Sequence, residues 1–207
     1  MSTRTIGAVG AALVIAIVAG FLLLGGGDDA EATETDGAFT TEMTPHHEMA
    51  IDMAKVAQQR ADHPEIKQLA DDIISAQEGE IEQLDAIHQR LFGEPVSEGE
   101  HGTLGLDEAA MGMSMDTSAL ETAEPFDREF IDEMIPHHQG AIQMARIELA
   151  EGEDQEAKDL ATAIITAQSD EIEQMNSWRE KWYGAPSPAG GVPAEGEAVP
   201  SHDAMGH

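Results

Sequence analysis

Met43, Pro45, His46 and His47 fall within five consecutive residues, and Met134, Pro136, His137 and His138 repeat the spacing. Six residues after the second histidine of each pair comes another methionine, Met53 in the first stretch and Met144 in the second. Imidazole and thioether together make a soft, uncharged donor set, and the chain has no cysteine to add a thiolate. Such a set suits Cu(I) or Ag(I) better than Zn(II), and far better than Mg(II) or Ca(II). A single histidine pair is more often a helix cap or a polar surface, and a methionine at helical spacing is more often core filler. Recurrence of the whole pattern turns the reading towards a metal. The candidate ligands are His46, His47, His137 and His138, with Met43, Met49, Met53, Met134 and Met144 as thioether candidates. Coordination alone would suffice, without enzyme chemistry.

The recurrence belongs to a duplication. Shifted by 91 residues, 42–95 falls on 133–186 without a gap, and 23 of the 54 positions are identical. Two copies of one supersecondary unit are therefore expected. Each copy reads as a helical hairpin. Ala50, Met53, Ala54 and Ala57 keep helical spacing, as do Ala141, Met144, Ala145 and Leu149. In the second helices Leu69, Ile73, Gln77, Ile81 and Leu84 match Leu160, Ile164, Gln168, Ile172 and Met175 as one inward stripe. Gly93 and Gly184 stand where a left-handed cap would end those helices. Pro45 and Pro136 suit a first helical turn, and the residue before a proline resists helix. Breaks are therefore expected at Thr44 and Ile135, with a separate short helix over 125–134. No alternating strand pattern occurs. The expected class is all-α, a four-helix bundle over 41–186 made of two hairpins joined by the linker 96–124.

Up-down-up-down topology would bring the starts of helices one and three, and the ends of two and four, to one pole. Both histidine pairs would share that pole with His101, Met111, Met113 and Met115 of the linker and His202, Met205 and His207 of the tail. His46, Met49 and Met53 fall on one helix face, and His137 and Met144 repeat that face. At a helix N-terminus the dipole disfavours an imidazolium, which would keep these rings in the neutral, metal-binding form.

The chain carries 41 acidic and 10 basic residues, a formal charge of −31. Nucleic acid is excluded as a partner, since binding it requires a basic face. A field of this sign gathers cations. Residues 6–24 are 19 residues without a charge, preceded by Arg4 and followed by Asp28, Asp29, Glu31 and Glu34. That run is close to the roughly 20 residues a membrane span needs and longer than the roughly 7–15 of a secretory signal core. Residues 1–27 are expected to be a signal anchor, a single transmembrane helix in the cell membrane with the body outside the cytoplasm. If they are instead a cleaved signal peptide, the protein is secreted or periplasmic. The acidic stretch 28–40 reads as a tether and the Pro- and Gly-rich stretch 187–207 as a disordered tail.

The motif Met-x-Pro-His-His-x-x-Ala-x-x-Met-Ala is carried by Met134, Pro136, His137, His138, Ala141, Met144 and Ala145. Met43, Pro45, His46, His47, Ala50, Met53 and Ala54 carry it again. With this motif the chain resembles the domain-of-unknown-function 305 family, exported bacterial proteins, over about 38–186. The resemblance implies a ferritin-like four-helix bundle and, for some members, a copper-binding or copper-resistance role. The chain departs from the pattern in having Thr44 where the second copy has Ile135, and in its anchor segment.

The leading expectation is an exported protein that buffers, sequesters or passes on Cu(I) or Ag(I). A copper-transfer partner and self-association both stay open. A ferritin-like di-iron oxidoreductase would need Glu-x-x-His pairs on facing helices. Neither copy has one; Asp85 and His88 give the spacing once, but their repeat partners are Asn176 and Arg179, while Glu80 and Glu171 point inward by register. A metal-free envelope module, its histidines capping helices or sensing acid, is the third possibility.

Overall fold

The computed structural model describes residues 32–97, 103–114 and 117–196, and none of these is in a strand. Four long helices follow one another: α1 (Glu34–Arg60), α2 (Pro64–Phe92), α3 (Phe126–Glu151) and α4 (Gln155–Tyr183), with a 3-10 turn at Thr117–Glu121 ahead of α3. Gly93 and Gly184 end α2 and α4 in the left-handed conformation, at φ 80° and 88°.

The prolines do not break the helices. Pro45 lies inside α1 and Pro136 inside α3, so the breaks expected at Thr44 and Ile135 are absent. The separate short helix expected over 125–134 is the first part of α3, and residues 34–40 of the expected tether are the first turns of α1. An interior proline costs a helix about 3 kcal/mol. Here the turns upstream of it have their own support. Thr33 and Asp36 form a capping box, with Asp36 N donating to Thr33 Oγ1 at 3.1 Å and Thr33 N donating to Asp36 Oδ2 at 2.7 Å. Phe39 and Met43 in α1, and Phe126, Phe130 and Met134 in α3, are fully buried. At roughly 1.5–3 kcal/mol for each such side chain, burial outweighs the proline.

Asp36 and Asp127, again 91 residues apart, set the relative direction of the two hairpins. Asp36 Oδ1 accepts from the backbone N–H groups of Glu153 and Asp154, each at 3.0 Å, in the turn between α3 and α4. Asp127 accepts from Asp62 N at 3.0 Å and His63 N at 2.8 Å, in the turn between α1 and α2. The start of α1 therefore meets the end of α3, and the start of α3 meets the end of α1. Arg90 at the end of α2 pairs with Asp154 and Glu156 at the start of α4. His63 ahead of α2 stacks on Trp182 at the end of α4, ring centroids 3.8 Å apart.

The expectation that the starts of helices one and three share a pole is thus corrected. The two hairpins are antiparallel, and the linker joins Gly93 at one end of the bundle to Pro125 at the other. One long crossover of this kind is the ferritin-like topology. A pseudo-two-fold axis passes between α1 and α3 near their midpoints.

Residues 187–196 are fastened to the bundle, unlike the disordered tail expected there. Gln139 Nε2 donates to the carbonyls of Ala189 and Gly191 at 2.9 and 2.7 Å, and Arg146 donates to those of Pro193 and Ala194. The expected anchor over 6–24, His101, Met115 and the tail beyond 196 with His202, Met205 and His207 lie outside the described residues. Among the described residues no helix is long and apolar enough to cross a membrane.

Candidate metal centre

The core divides into two apolar halves. Phe39, Met43, Leu84, Met144 and Leu160 pack together towards one end. Met53, Ile73, Phe130, Met134 and Met175 pack towards the other. His46, His47, His137 and His138 are all fully buried, in the middle turns of α1 and α3. Gln77 and Gln168, buried, and Glu80 and Glu171 join them from the middle of α2 and α4. Every one of these residues has its counterpart 91 positions away, so the duplication builds one polar layer across the axis. The histidines meet at the waist of the bundle and not at its pole.

Across the axis His46 and His137 lie with ring centroids 3.8 Å apart and planes tilted by 36°. Within each pair the rings diverge, 6.2 Å for His46–His47 and 6.3 Å for His137–His138. Three of the four rings have Nε2 against an acceptor. His46 Nε2 donates to the Met111 carbonyl at 2.9 Å. His138 Nε2 donates to Glu171 Oε2 at 2.7 Å. His47 Nε2 lies 2.8 Å from Glu80 Oε2, close enough for an ion-pair contact though off the line of a well-directed hydrogen bond.

A carbonyl or a carboxylate can only accept, so the Nε2 of His46 and that of His138 carry the hydrogen and each neutral ring keeps its lone pair on Nδ1, and the Glu80 carboxylate beside His47 favours the same arrangement there. The Nδ1 atoms of His46, His47 and His138 are buried and unpartnered, as are both ring nitrogens of His137 and, for want of a well-directed hydrogen bond, His47 Nε2. Buried polar groups are nearly always satisfied, and each exception costs about 1–3 kcal/mol. Several clustered in one layer fit a ligand that supplies the missing partner.

Burial holds the central rings neutral. It pushes His46 down to about 3, the neighbouring His47 adding to the effect and the Met111 hydrogen bond opposing it. Burial, then His46 and His138, lowers His137 well below its ordinary value. The expected neutrality is present, but its cause is desolvation, because these rings stand mid-helix and not at a positive helix end.

The described part of the linker straps this layer. Asp107 to Met113 form a compact turn, Met111 N donating to Asp107 O at 3.0 Å and Met113 N to Glu108 O at 2.8 Å. The turn presses on α3 where two glycines allow it. A Cβ on Gly140 would lie 1.9 Å from the Met111 carbonyl oxygen, and one on Gly112 2.3 Å from that of Pro136. Gly140 replaces the first copy's Met49, so the methionine missing from the second motif makes room for the strap.

Met43 and Met144 flank the layer on one side and Met53 and Met134 on the other, all fully buried; Met49 is partly buried. Each central histidine thus has a methionine three residues before it and another seven after it on its own helix, a same-face spacing. No three His, Asp or Glu among the described residues converge as a ready-made cage for a metal ion. A soft monovalent ion that takes two or three nitrogen or sulfur donors needs no such cage.

Asp85 and His88 each meet a partner outside their own helix. Asp85 accepts from Val96 N at 3.1 Å, while His88 Nδ1 lies 2.7 Å from Thr40 Oγ1. The Met111 carbonyl had no signal in the sequence, since it is a backbone atom. Asp36 and Asp127 had one: Asp-x-x-Phe recurs at 36–39 and 127–130, six residues upstream of the duplicated span.

The model of the family described as "Domain of unknown function (DUF305)" matches residues 36–179 and again 127–206. CopM, solved in a Cu(I)-bound form, is 46% identical, with 72% of this chain and 98% of that chain covered at a TM-score of 0.63. An Ag-bound form of CopM aligns at 44% identity over 72% of this chain and 97% of that one, TM-score 0.62. A DUF305 fragment from Deinococcus radiodurans is 29% identical, covering 73% of this chain and 99% of the fragment at a TM-score of 0.64. An uncharacterized protein of Acanthamoeba polyphaga mimivirus is 46% identical over 52 residues, 25% of this chain and only 34% of the viral protein's length. With the family's model spanning most of its length, this chain belongs to the DUF305 family.

Proposed function

We propose that this protein binds Cu(I) or Ag(I) at its central histidine layer, and that it buffers, sequesters or passes on the ion outside the cytoplasm without catalysing a reaction. One observation carries the reading: His46, His47, His137 and His138 are fully buried, and each has a ring nitrogen without a partner. The Cu(I)- and Ag-bound forms of CopM, similar over most of this chain, support the choice of ion. Nδ1 of His46, His47 and His138 and a ring nitrogen of His137 supply nitrogen, and Met43, Met53, Met134, Met144 and the less buried Met49 supply sulfur. The metal is cargo. The uncharged run 6–24 would carry the body across the membrane and hold it there, or be removed.

The test is a Cu(I) titration of the protein against a colour-forming Cu(I) chelator. Wild-type protein is expected to take copper from the chelator, and the His46→Ala/His137→Ala variant to lose at least about tenfold in affinity. No uptake of Cu(I) or Ag(I) would sink the proposal and leave the metal-free module. Uptake of iron with an oxygen-dependent absorbance would favour the di-iron alternative.

A further inference from the structure

Two carboxylates beside the layer have no place in the ligand set described above. Glu80 and Glu171 come from equivalent positions of α2 and α4. Glu171 Oε2 accepts from the Nε2 of fully buried His138 at 2.7 Å, and Glu80 Oε2 lies 2.8 Å from the Nε2 of fully buried His47, near it but off the line of a well-directed hydrogen bond. Their side chains are only 14% and 8% exposed, so each pair is held inside the protein and not on a mobile surface. We propose that Glu80 and Glu171 are positioning residues that fix which nitrogen of His47 and His138 faces the metal. The inference rests on the metal-binding reading given above.

An isolated imidazole divides its hydrogen between two nitrogens, and only the one without it can coordinate. A carboxylate facing Nε2 places the hydrogen there and commits the lone pair to Nδ1. It also turns the ring and makes Nδ1 a stronger donor. Both Nδ1 atoms are buried without a partner, as a committed donor awaiting an ion would be. The Met111 carbonyl does for His46 what the carboxylates do for the outer rings. The carboxylates themselves are poor first choices for a soft monovalent ion. Both occupy the same register in the two copies, each followed by Ile-Glu-Gln, although the residue before each differs (Gly79 against Asp170).

The experiment follows ring tautomers and affinity in the same samples. Long-range proton–nitrogen correlation spectra of the metal-free protein, labelled with nitrogen-15, report which nitrogen carries hydrogen. His47 and His138 are expected as Nε2–H tautomers. In Glu80→Leu/Glu171→Leu the two rings are expected to become mixtures, and Cu(I) affinity to fall about 10–100-fold. In Glu80→Gln/Glu171→Gln the amide oxygen still accepts, so the tautomer is expected to persist and affinity to fall less than about tenfold. Nδ1–H tautomers in the wild-type protein would overturn the proposal whether or not the leucine variant folds. So would unchanged affinity in a leucine variant that keeps its helical circular dichroism. If the wild-type protein takes up neither Cu(I) nor Ag(I), the metal reading fails and the positioning role falls with it. If it binds the ion but the tautomers are wrong, only the positioning role fails.

Discussion

Four histidines and two glutamines buried in the middle of an apolar bundle make the metal-free protein less stable than its shape requires. Unpartnered nitrogens on His46 and His137 cost about 1–3 kcal/mol each, and a leucine of similar reach would not incur that cost. His46→Leu/His137→Leu is therefore expected to raise metal-free stability by about 1–3 kcal/mol in urea unfolding, while Ag(I) no longer raises the midpoint. Loss of stability in that variant would mean the rings have partners in the native state. Glu148 gives a second prediction at this scale. Burial pushes its carboxyl up to about 8, and the nearby Asp36 adds to the rise, although neither Glu148 oxygen makes a well-formed hydrogen bond. Burial also raises Asp36, but hydrogen bonds from Thr33 and Asp154 outweigh that and leave it below its usual value. The folded state therefore holds a proton on Glu148 that the unfolded chain releases, so its contribution worsens as pH rises from about 4.5 to about 8. Glu148→Gln is expected to stabilise the protein by on the order of 2 kcal/mol at pH 8 and by little at pH 5, read from thermal melts. At this scale the sequence was informative about identity: the inward register of Glu80 and Glu171 could be read from period alone, as could the same-face spacing of methionine and histidine on α1 and α3. Tautomers and the Met111 carbonyl could not, because both depend on what crosses the layer from elsewhere in the chain.

Helices α1 and α3 show where local rules yield to packing. A proline seen in isolation marks a helix boundary, and by sequence alone Pro45 and Pro136 read that way. Five buried large side chains on the upstream turns outweigh the lost hydrogen bonds, and that burial exists only once the bundle has formed. The second helices were legible at both period and cap, because an amphipathic stripe ending at glycine needs no tertiary information. The copies also show matched exchange: Ala57 and Ala61 in the first are Glu148 and Gly152 in the second, and a Cβ on Gly152 would lie 2.2 Å from Glu148 Oε1. Gly140 makes an equally direct test. Gly140→Ala has no room without moving the Met111 backbone, so it is expected to cost about 1–3 kcal/mol and to break the His46–Met111 hydrogen bond. Hydrogen exchange at residues 109–113 would then rise. An unchanged melting temperature and exchange pattern would show that the linker does not rest on α3.

For the whole molecule, an ion that binds only the folded state stabilises it by mass action. At 1,000 times its Kd this amounts to about 4 kcal/mol. Substoichiometric Ag(I) should therefore leave two melting populations, and excess Ag(I) one, with the variant lacking His46 and His137 rings unresponsive. The all-α class was legible as the absence of strand alternation. Hairpin direction was not, because a repeat of helix–turn–helix is equally compatible with parallel and antiparallel docking. Asp36 and Asp127 decide it by each reaching the other copy's turn.

That reciprocal reach bears on descent as well as on shape. Neither hairpin alone can complete its waist: α1 and α2 hold two imidazoles and one carboxylate, and the remainder arrives from across the axis. A single-hairpin ancestor would have had to meet its own twin to assemble the same centre. Gene fusion would then have freed the joining segment to lie over one side, where the Met111 carbonyl meets the ring of His46 and, among the described residues, has no counterpart on the ring of His137, its sibling by origin.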